Sequence, residues 1–344
     1  MNAALLRSRF ERALRLSLLA AVPVATACGG GVVTTGNEDA GTDAPVSFDS
    51  GKACTSSGIP ATAPSCGYFV TLSGDVTKCG FPADGGTIPA DVCAKLCGPT
   101  SGPATTYCYW SASSPGTLEC GGACVGRRPA GISVRTSLGP TVVAEHFARA
   151  AFLEAASVDA FEILHDELVH HRAPPDLRRS ALEARADEVR HARIVGAIAE
   201  RFGAVVERPV VVRGPVRDLE AIAIENAVEG CVRETWGALL ATWQADHAKT
   251  PRVRAAMNAI AREEAEHALL GLRVAQWLDA KLDDGARARV AAARATAIAE
   301  LFAELAIEPD ETLREEAGLP NAIQSQLLAR SLFGQLSELA AIAA

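Results

Sequence analysis

From Pro140 onward, apolar side chains recur every three to four residues over four long stretches, the period of helices that each bury one face. The first stretch predicts a helix over about 141–171. It is broken by Ala173-Pro174-Pro175-Asp176, where Pro175 suits a first helical position. A second helix follows to about Phe202, and Gly203 fits its C-terminal cap. A connection, 204–218, carries the apolar Pro209-Val210-Val211-Val212. The third helix is expected over 219–247, and the fourth opens at Pro251 and ends near Lys281. Two tight hairpins joined by one longer crossover predict a mainly α fold built on a four-helix bundle over 140–281. Further helices, near 286–306 and 322–343 within the 282–344 region, are expected on the outside of the bundle or at a contact in a homodimer.

The N-terminal part has a different texture. Arg7, Arg9, Arg12 and Arg15 precede an apolar run from Leu16 to Ala27, with small residues ahead of Cys28. That is the anatomy of an export signal over 1–27, and the run is too short to span a bilayer permanently. Val24-Ala25-Thr26-Ala27-Cys28 resembles a bacterial lipobox, with Ala25 where Leu is usual. The resemblance implies lipidation of Cys28 and anchoring to a membrane of the bacterial cell envelope; an ordinary cleaved signal is the alternative. No twin-arginine pair precedes the apolar run, which implies export unfolded and metal acquired outside the cytoplasm. Residues 28–52, rich in Gly, Thr, Asp and Ser, read as a flexible tether.

Residues 53–127 hold Cys54, Cys66, Cys79, Cys93, Cys97, Cys108, Cys120 and Cys124 among many Gly, Pro, Ser and Thr. An even cysteine count in a short exported segment predicts a small, irregular, disulfide-stapled module. Its connectivity stays open, since eight cysteines allow about a hundred pairings. A formal net charge of -8, with no clustering of basic and aromatic residues, argues against a nucleic-acid partner.

The helical region contains a repeat with chemistry in it. One copy runs Glu154, Phe161, then Glu188 and His191 as Glu-x-x-His; the other runs Glu229, Trp236, then Glu264 and His267. Both copies place the aromatic seven residues after the first Glu and the Glu-x-x-His 34 or 35 residues after it. His171 and Pro175 answer to His247 and Pro251. Glu and His three apart project from one helix face. By helical rise, Glu154 sits roughly 28 Å above the first turn, and Glu188 and His191 roughly 22 to 27 Å, with near-equal levels in the second hairpin. Six side chains can therefore meet at one height. Four carboxylates buried together repel or take up protons unless cations join them, and oxygen and imidazole ligands suit iron or manganese, with zinc competing.

In these six residues the chain resembles the ferritin-like superfamily of di-iron carboxylate proteins, nearest to its rubrerythrin-type, bacterioferritin-type and quinone-hydroxylase-type members. The resemblance covers 140–281. It implies two iron ions (or an iron–manganese pair) with Glu188 and Glu264 bridging, Glu154 and His191 completing one site, and Glu229 and His267 the other. It also implies an oxidoreductase that reacts with oxygen or peroxide and takes electrons from a donor the sequence does not name. There are departures. The Cys-x-x-x-Cys spacings do not supply a rubredoxin module, and the helical region has no tyrosine for a tyrosyl radical. The rival reading is a non-enzymatic metal-binding or scaffold lipoprotein whose Cys-rich module does the recognition. Phe161 and Trp236 read as core, and Cys231 as a small packed side chain. Asp187 and Glu266 are expected to hydrogen-bond the ligands. Glu225 is an alternative ligand; Glu234, across an α-helix from Glu229, is a weaker one.

Overall fold

The computed structural model describes residues 3–20 and 139–343 and, between them, 55–57, 68–73, 86–87, 96–97, 108–110, 117–120, 127–129 and 132–133. The fold is mainly helical. Helix α1 spans Ala3–Ala20, α2 Val142–His170 and α3 Pro175–Arg201. The Thr141 hydroxyl caps α2 by accepting from the Ala144 amide at 3.2 Å, and two prolines open α3. Gly203 ends α3 at φ 88°, the left-handed backbone that the sequence reserves for a glycine there.

The third long helix has three parts: α4 (Leu219–Glu225), a π-helical segment (Asn226–Arg233) and α5 (Glu234–His247). Helices α6 (Pro251–Asp279), α7 (Asp284–Glu304), α8 (Glu311–Glu316) and α9 (Ala322–Ala343) complete the chain. Helix α2 lies along α3, α5 lies along α6, and α3 packs on α6, so two hairpins face each other. The crossover is pinned: strand Val210–Val211 pairs antiparallel with Ile132–Ser133.

The apolar interior between the hairpins has two parts. One holds Val143, Phe147, Ala151, Val195, Ile198, Met257 and Ile260; the other holds Phe161, Leu164, Leu177, Ala181, Ile222, Leu270 and Val274. Glu154, Glu188 and Glu264 lie in sequence between these two sets on their helices, so a polar layer interrupts the core. A third apolar cluster joins α1, α5, α6, α7 and α9 around Phe10, Trp236, Leu239, Leu269, Leu332 and Phe333. Among the described residues, no helix is long and apolar enough to cross a membrane.

The segment expected to be irregular is built instead on a five-stranded antiparallel sheet. Its strands are β1 (Thr55–Ser57), β2 (Tyr68–Ser73), β3 (Gly86–Thr87), β4 (Cys108–Trp110) and β5 (Thr117–Cys120), in the order β1-β2-β5-β4-β3. Val70 and Leu72, two apart on β2, are buried, as is Leu118 opposite Val70. The strands are too short and too rich in small residues for their period of two to stand out in the sequence. Cys108 stands opposite Cys120 in the register. Cys28, the tether, Cys54, Cys66, Cys79, Cys93 and Cys124 fall outside the described residues.

Candidate metal centre

Each Glu-x-x-His pair sits on an unbroken α-helix, α3 or α6, so both members face inward. Glu154 comes from α2. The structure gathers two groups of ligand atoms, each within 4.8 Å of one another: Glu154, Glu188, His191 and Glu264, and Glu188, Glu234, Glu264 and His267. Glu188 and Glu264 belong to both groups. Every one of these side chains is buried, and Glu188, His191 and Glu234 have no exposed surface.

The distances tie the two halves together. His191 Nδ1 lies 3.0 Å from Glu264 Oε1 and 3.5 Å from Glu154 Oε2. His267 Nδ1 lies 3.1 Å from Glu188 Oε1 and 3.8 Å from Glu234 Oε2. None of these inward-facing atoms forms a hydrogen bond: both oxygens of Glu188, Glu234 and Glu264, Glu154 Oε2, and Nδ1 of both histidines lack a partner. Buried polar atoms are almost always satisfied, and these converge on one place. The cluster has the donor set to hold a metal ion.

Glu229 is not part of it. Its carboxylate accepts from the Arg128 amide at 3.3 Å, and the charges of Arg128 and Arg233 act on it. Glu234 takes the place expected for Glu229, and the π-helical segment explains why. Five residues along an α-helix turn a side chain to the far side, about 140° away. Here the Glu234 amide donates to the Glu229 carbonyl, an i to i+5 bond, so Glu234 completes one wide turn above Glu229 and faces inward. The segment lies where two backbones touch. A Cβ on Gly271 would stand 2.7 Å from the Gly230 carbonyl oxygen, and the Asn226 amide donates to the Gly271 carbonyl at 2.9 Å. Cys231, buried and free, lies at the same crossing.

The outer nitrogens of the histidines are held reciprocally. His191 Nε2 pairs with Glu263 of α6 at 2.8 Å, and His267 Nε2 pairs with Asp187 of α3 at 3.4 Å. Arg190 donates to both Asp187 and Glu263, the latter at 2.8 Å. Each half thus supplies the carboxylate that orients the other half's imidazole, leaving Nδ1 turned inward. Asp187 does what was expected of it. Glu266 does not, since it pairs with Arg7 of α1. Glu263 and Arg190 were missed, although the repeat reads Asp/Glu-Glu-x-x-His when extended by one position.

The buried groups set one another's charge. Burial, then the Glu188 charge, pushes Glu154 well above the ordinary carboxylate range. Burial, then Glu264, does the same to Glu234. Burial also acts on Glu188, but the adjacent His191 and His267 rings outweigh it and hold its pKa down at about 2. His267 is raised because Glu264, Asp187 and Glu188 outweigh its burial. Carboxylates packed this closely need protons or cations to balance them.

Phe161 packs against the His267 ring at 5.0 Å, as core beside the polar layer. Trp236 lies in the other apolar cluster, with α1. Glu225 does not join the centre; it pairs with the buried Arg127 at 2.5 Å. Comparison with protein-family models, curated proteins and solved structures finds no match to this chain.

Proposed function

We propose that the chain is an exported, lipid-anchored ferritin-like protein that holds two metal ions, iron or iron with manganese, and acts as an oxidoreductase toward oxygen or peroxide. One observation carries this reading: unpartnered oxygens and imidazole nitrogens of six buried side chains converge in two groups that share Glu188 and Glu264. Four carboxylates would neutralise two divalent cations, with both imidazoles neutral, so the donor set balances without buried excess charge.

Glu154 and His191 would hold one ion, Glu234 and His267 the other, and Glu188 and Glu264 both. Bound iron would supply one-electron redox chemistry with oxygen or peroxide. Glu263 and Asp187 keep Nδ1 of each imidazole directed inward. The apolar layers above and below, with Phe161 against His267, keep bulk water from the carboxylates. A cavity of about 310 Å³ lies beside the centre, lined by His267 and Asp187.

The test is metal content of the purified chain after anaerobic ferrous loading and exposure to air, followed by oxygen and peroxide consumption. About two irons per chain are expected, and Glu188→Ala or Glu264→Ala should abolish both. Full metal content in those variants would refute the ligand set. Metal held with no turnover would leave the binding site standing and remove the oxidoreductase. Zinc retained in preference to iron would do the same.

A further inference from the structure

Reduction of oxygen or peroxide consumes electrons, and a line of side chains on α5 leads from the metal centre to the surface. The helical region 140–344 has no tyrosine, so tryptophan is the aromatic residue there that can give up an electron. Trp236 stands two residues after the inward-facing Glu234, roughly 3 Å along the α5 axis by helical rise. Trp243 follows seven residues later, two turns on and on the same side of α5, roughly 10 Å from Trp236 along the axis. Both side chains are buried in one apolar cluster, with Leu239 between them in sequence. At the end of α5 the Trp243 ring stacks flat on His247, with ring centroids 3.7 Å apart and planes within 5°. The His247 Nδ1 donates to the Trp243 carbonyl at 2.8 Å, which holds the imidazole over the indole. His247 is exposed. Trp277 continues no such line: it lies near the end of α6, under Lys281.

We propose that Trp236, Trp243 and His247 form a one-electron path between the metal centre and the surface at the end of α5, and that the donor it meets there is a small organic reductant of the ascorbate class. The proposal rests on the metal-centre reading above and supplies that site with its electron entry. Trp236 gives one electron toward the centre and recovers it from Trp243, and Trp243 recovers it from the reductant across the stacked His247. Two such passages reduce one hydrogen peroxide: its O–O bond breaks, and two electrons with two protons make two waters. Ascorbate gives both electrons and one proton, becoming dehydroascorbate, and solvent gives the other proton. An imidazole lying flat on the indole stabilises the positive charge left when the indole loses its electron, as a π face attracts a cation. Of the three side chains only His247 is exposed. One ring suffices for a small diffusing molecule, whereas a carrier protein needs a docking surface of about 1,000 Å².

The experiment loads the full chain with ferrous iron and adds hydrogen peroxide, with and without ascorbate. Freeze-quench electron paramagnetic resonance follows tryptophan radicals, and peptide mass spectrometry follows oxygen addition to each tryptophan. The zinc-loaded chain, given the same peroxide, measures oxidation that does not pass through the centre. Iron-loaded protein should form a tryptophan radical and oxidise Trp243 above the zinc control, with Trp277 at the control level, and ascorbate should suppress both signals. Trp236→Phe should lose most of the Trp243 product. Trp243→Phe should do the reverse, lengthening the life of the radical on Trp236 and moving the product there. His247→Ala removes an exposed ring, so it should leave iron content unchanged and raise the ascorbate concentration needed for suppression. Side chains that only pack would not reorder the products in this way. Iron-loaded protein that consumes peroxide with Trp236 and Trp243 at the zinc level overturns the path alone, as does equal Trp243 oxidation in Trp236→Phe. A chain that takes up no iron overturns the metal-centre reading and the path with it.

Discussion

The two hairpins repeat one pattern and solve the same problem differently. In the first, a regular α-helix carries Glu154 inward, and the sequence spacing alone locates it. In the second, the equivalent helix is wound as π over 226–233, and the inward carboxylate is Glu234 rather than Glu229. Both halves end with one carboxylate, one shared carboxylate and one imidazole around a common point. The comparison teaches that a repeat in sequence need not be a repeat in phase. A single wide turn changes which carboxylate faces inward by five residues while preserving the cluster it joins.

The largest expected effect breaks that comparison directly. Glu234→Ala should lose about half of the bound metal, and Glu229→Ala should keep about all of it, read as metal per chain. The opposite result would place Glu229 at the centre and remove the π phase from the explanation. Next come the reciprocal carboxylates. Asp187→Asn and Glu263→Gln should each weaken metal affinity by about 10- to 100-fold, measured by competition with a chelator. Similar losses in the two variants would show that the halves are equivalent at this level, and a silent Asp187→Asn would show that they are not.

The helix crossing gives a smaller effect that sharpens the comparison. Gly271→Ala places a Cβ 2.7 Å from the Gly230 carbonyl oxygen and should cost about 1–3 kcal/mol in denaturant unfolding. Gly196 of the first hairpin has only the Ala151 side chain nearby, at 3.9 Å, so Gly196→Ala should be neutral or stabilising by comparison. Equal destabilisation of the two variants would remove the close crossing as the cause.

The gentlest prediction is a pH slope. Glu154 and Glu234 have folded pKa values raised above the ordinary 4.5, so the metal-free fold binds protons that the unfolded chain has released. Their stabilising contribution is fully present below about pH 4.5 and is lost as the pH rises through the folded values. Glu145, raised to about 7 by burial, adds a slope of the same sign in both the metal-free and loaded protein. The thermal stability of metal-free protein should therefore fall as the pH rises from about 5 to 8, and metal loading should flatten the slope to what Glu145 and the oppositely shifted His146, lowered to about 4 by burial, leave. A slope unchanged by metal would detach Glu154 and Glu234 from the centre.

Much of this was legible in the residues. The helix bounds around Thr141, Pro175, Gly203 and Pro251 follow from caps and breakers acting within one turn. Five of the six residues singled out lie together in the buried cluster, because Glu-x-x-His on an α-helix needs only local geometry and Glu154 lies on a regular helix at a matching height. The sheet under the Cys-rich segment was not legible, because strands of two to six residues leave too little pattern. Nor was the place of α1, whose arginines and following apolar run match an export signal whether or not the helix docks.

Local spacing along the chain suffices for four long amphipathic helices, their turns, and two carboxylate–imidazole pairs each fixed to one face. How those helices meet depends on contacts between them. The π winding that chooses Glu234 arises where the Gly230 backbone meets Gly271 and where Asn226 reaches the Gly271 carbonyl on another helix. The crossing of Asp187 to His267 and of Glu263 to His191 likewise needs both hairpins in place. Backbone spacing fixes a side chain's direction within its own helix; the contact that shifts that direction comes from a helix some forty residues away.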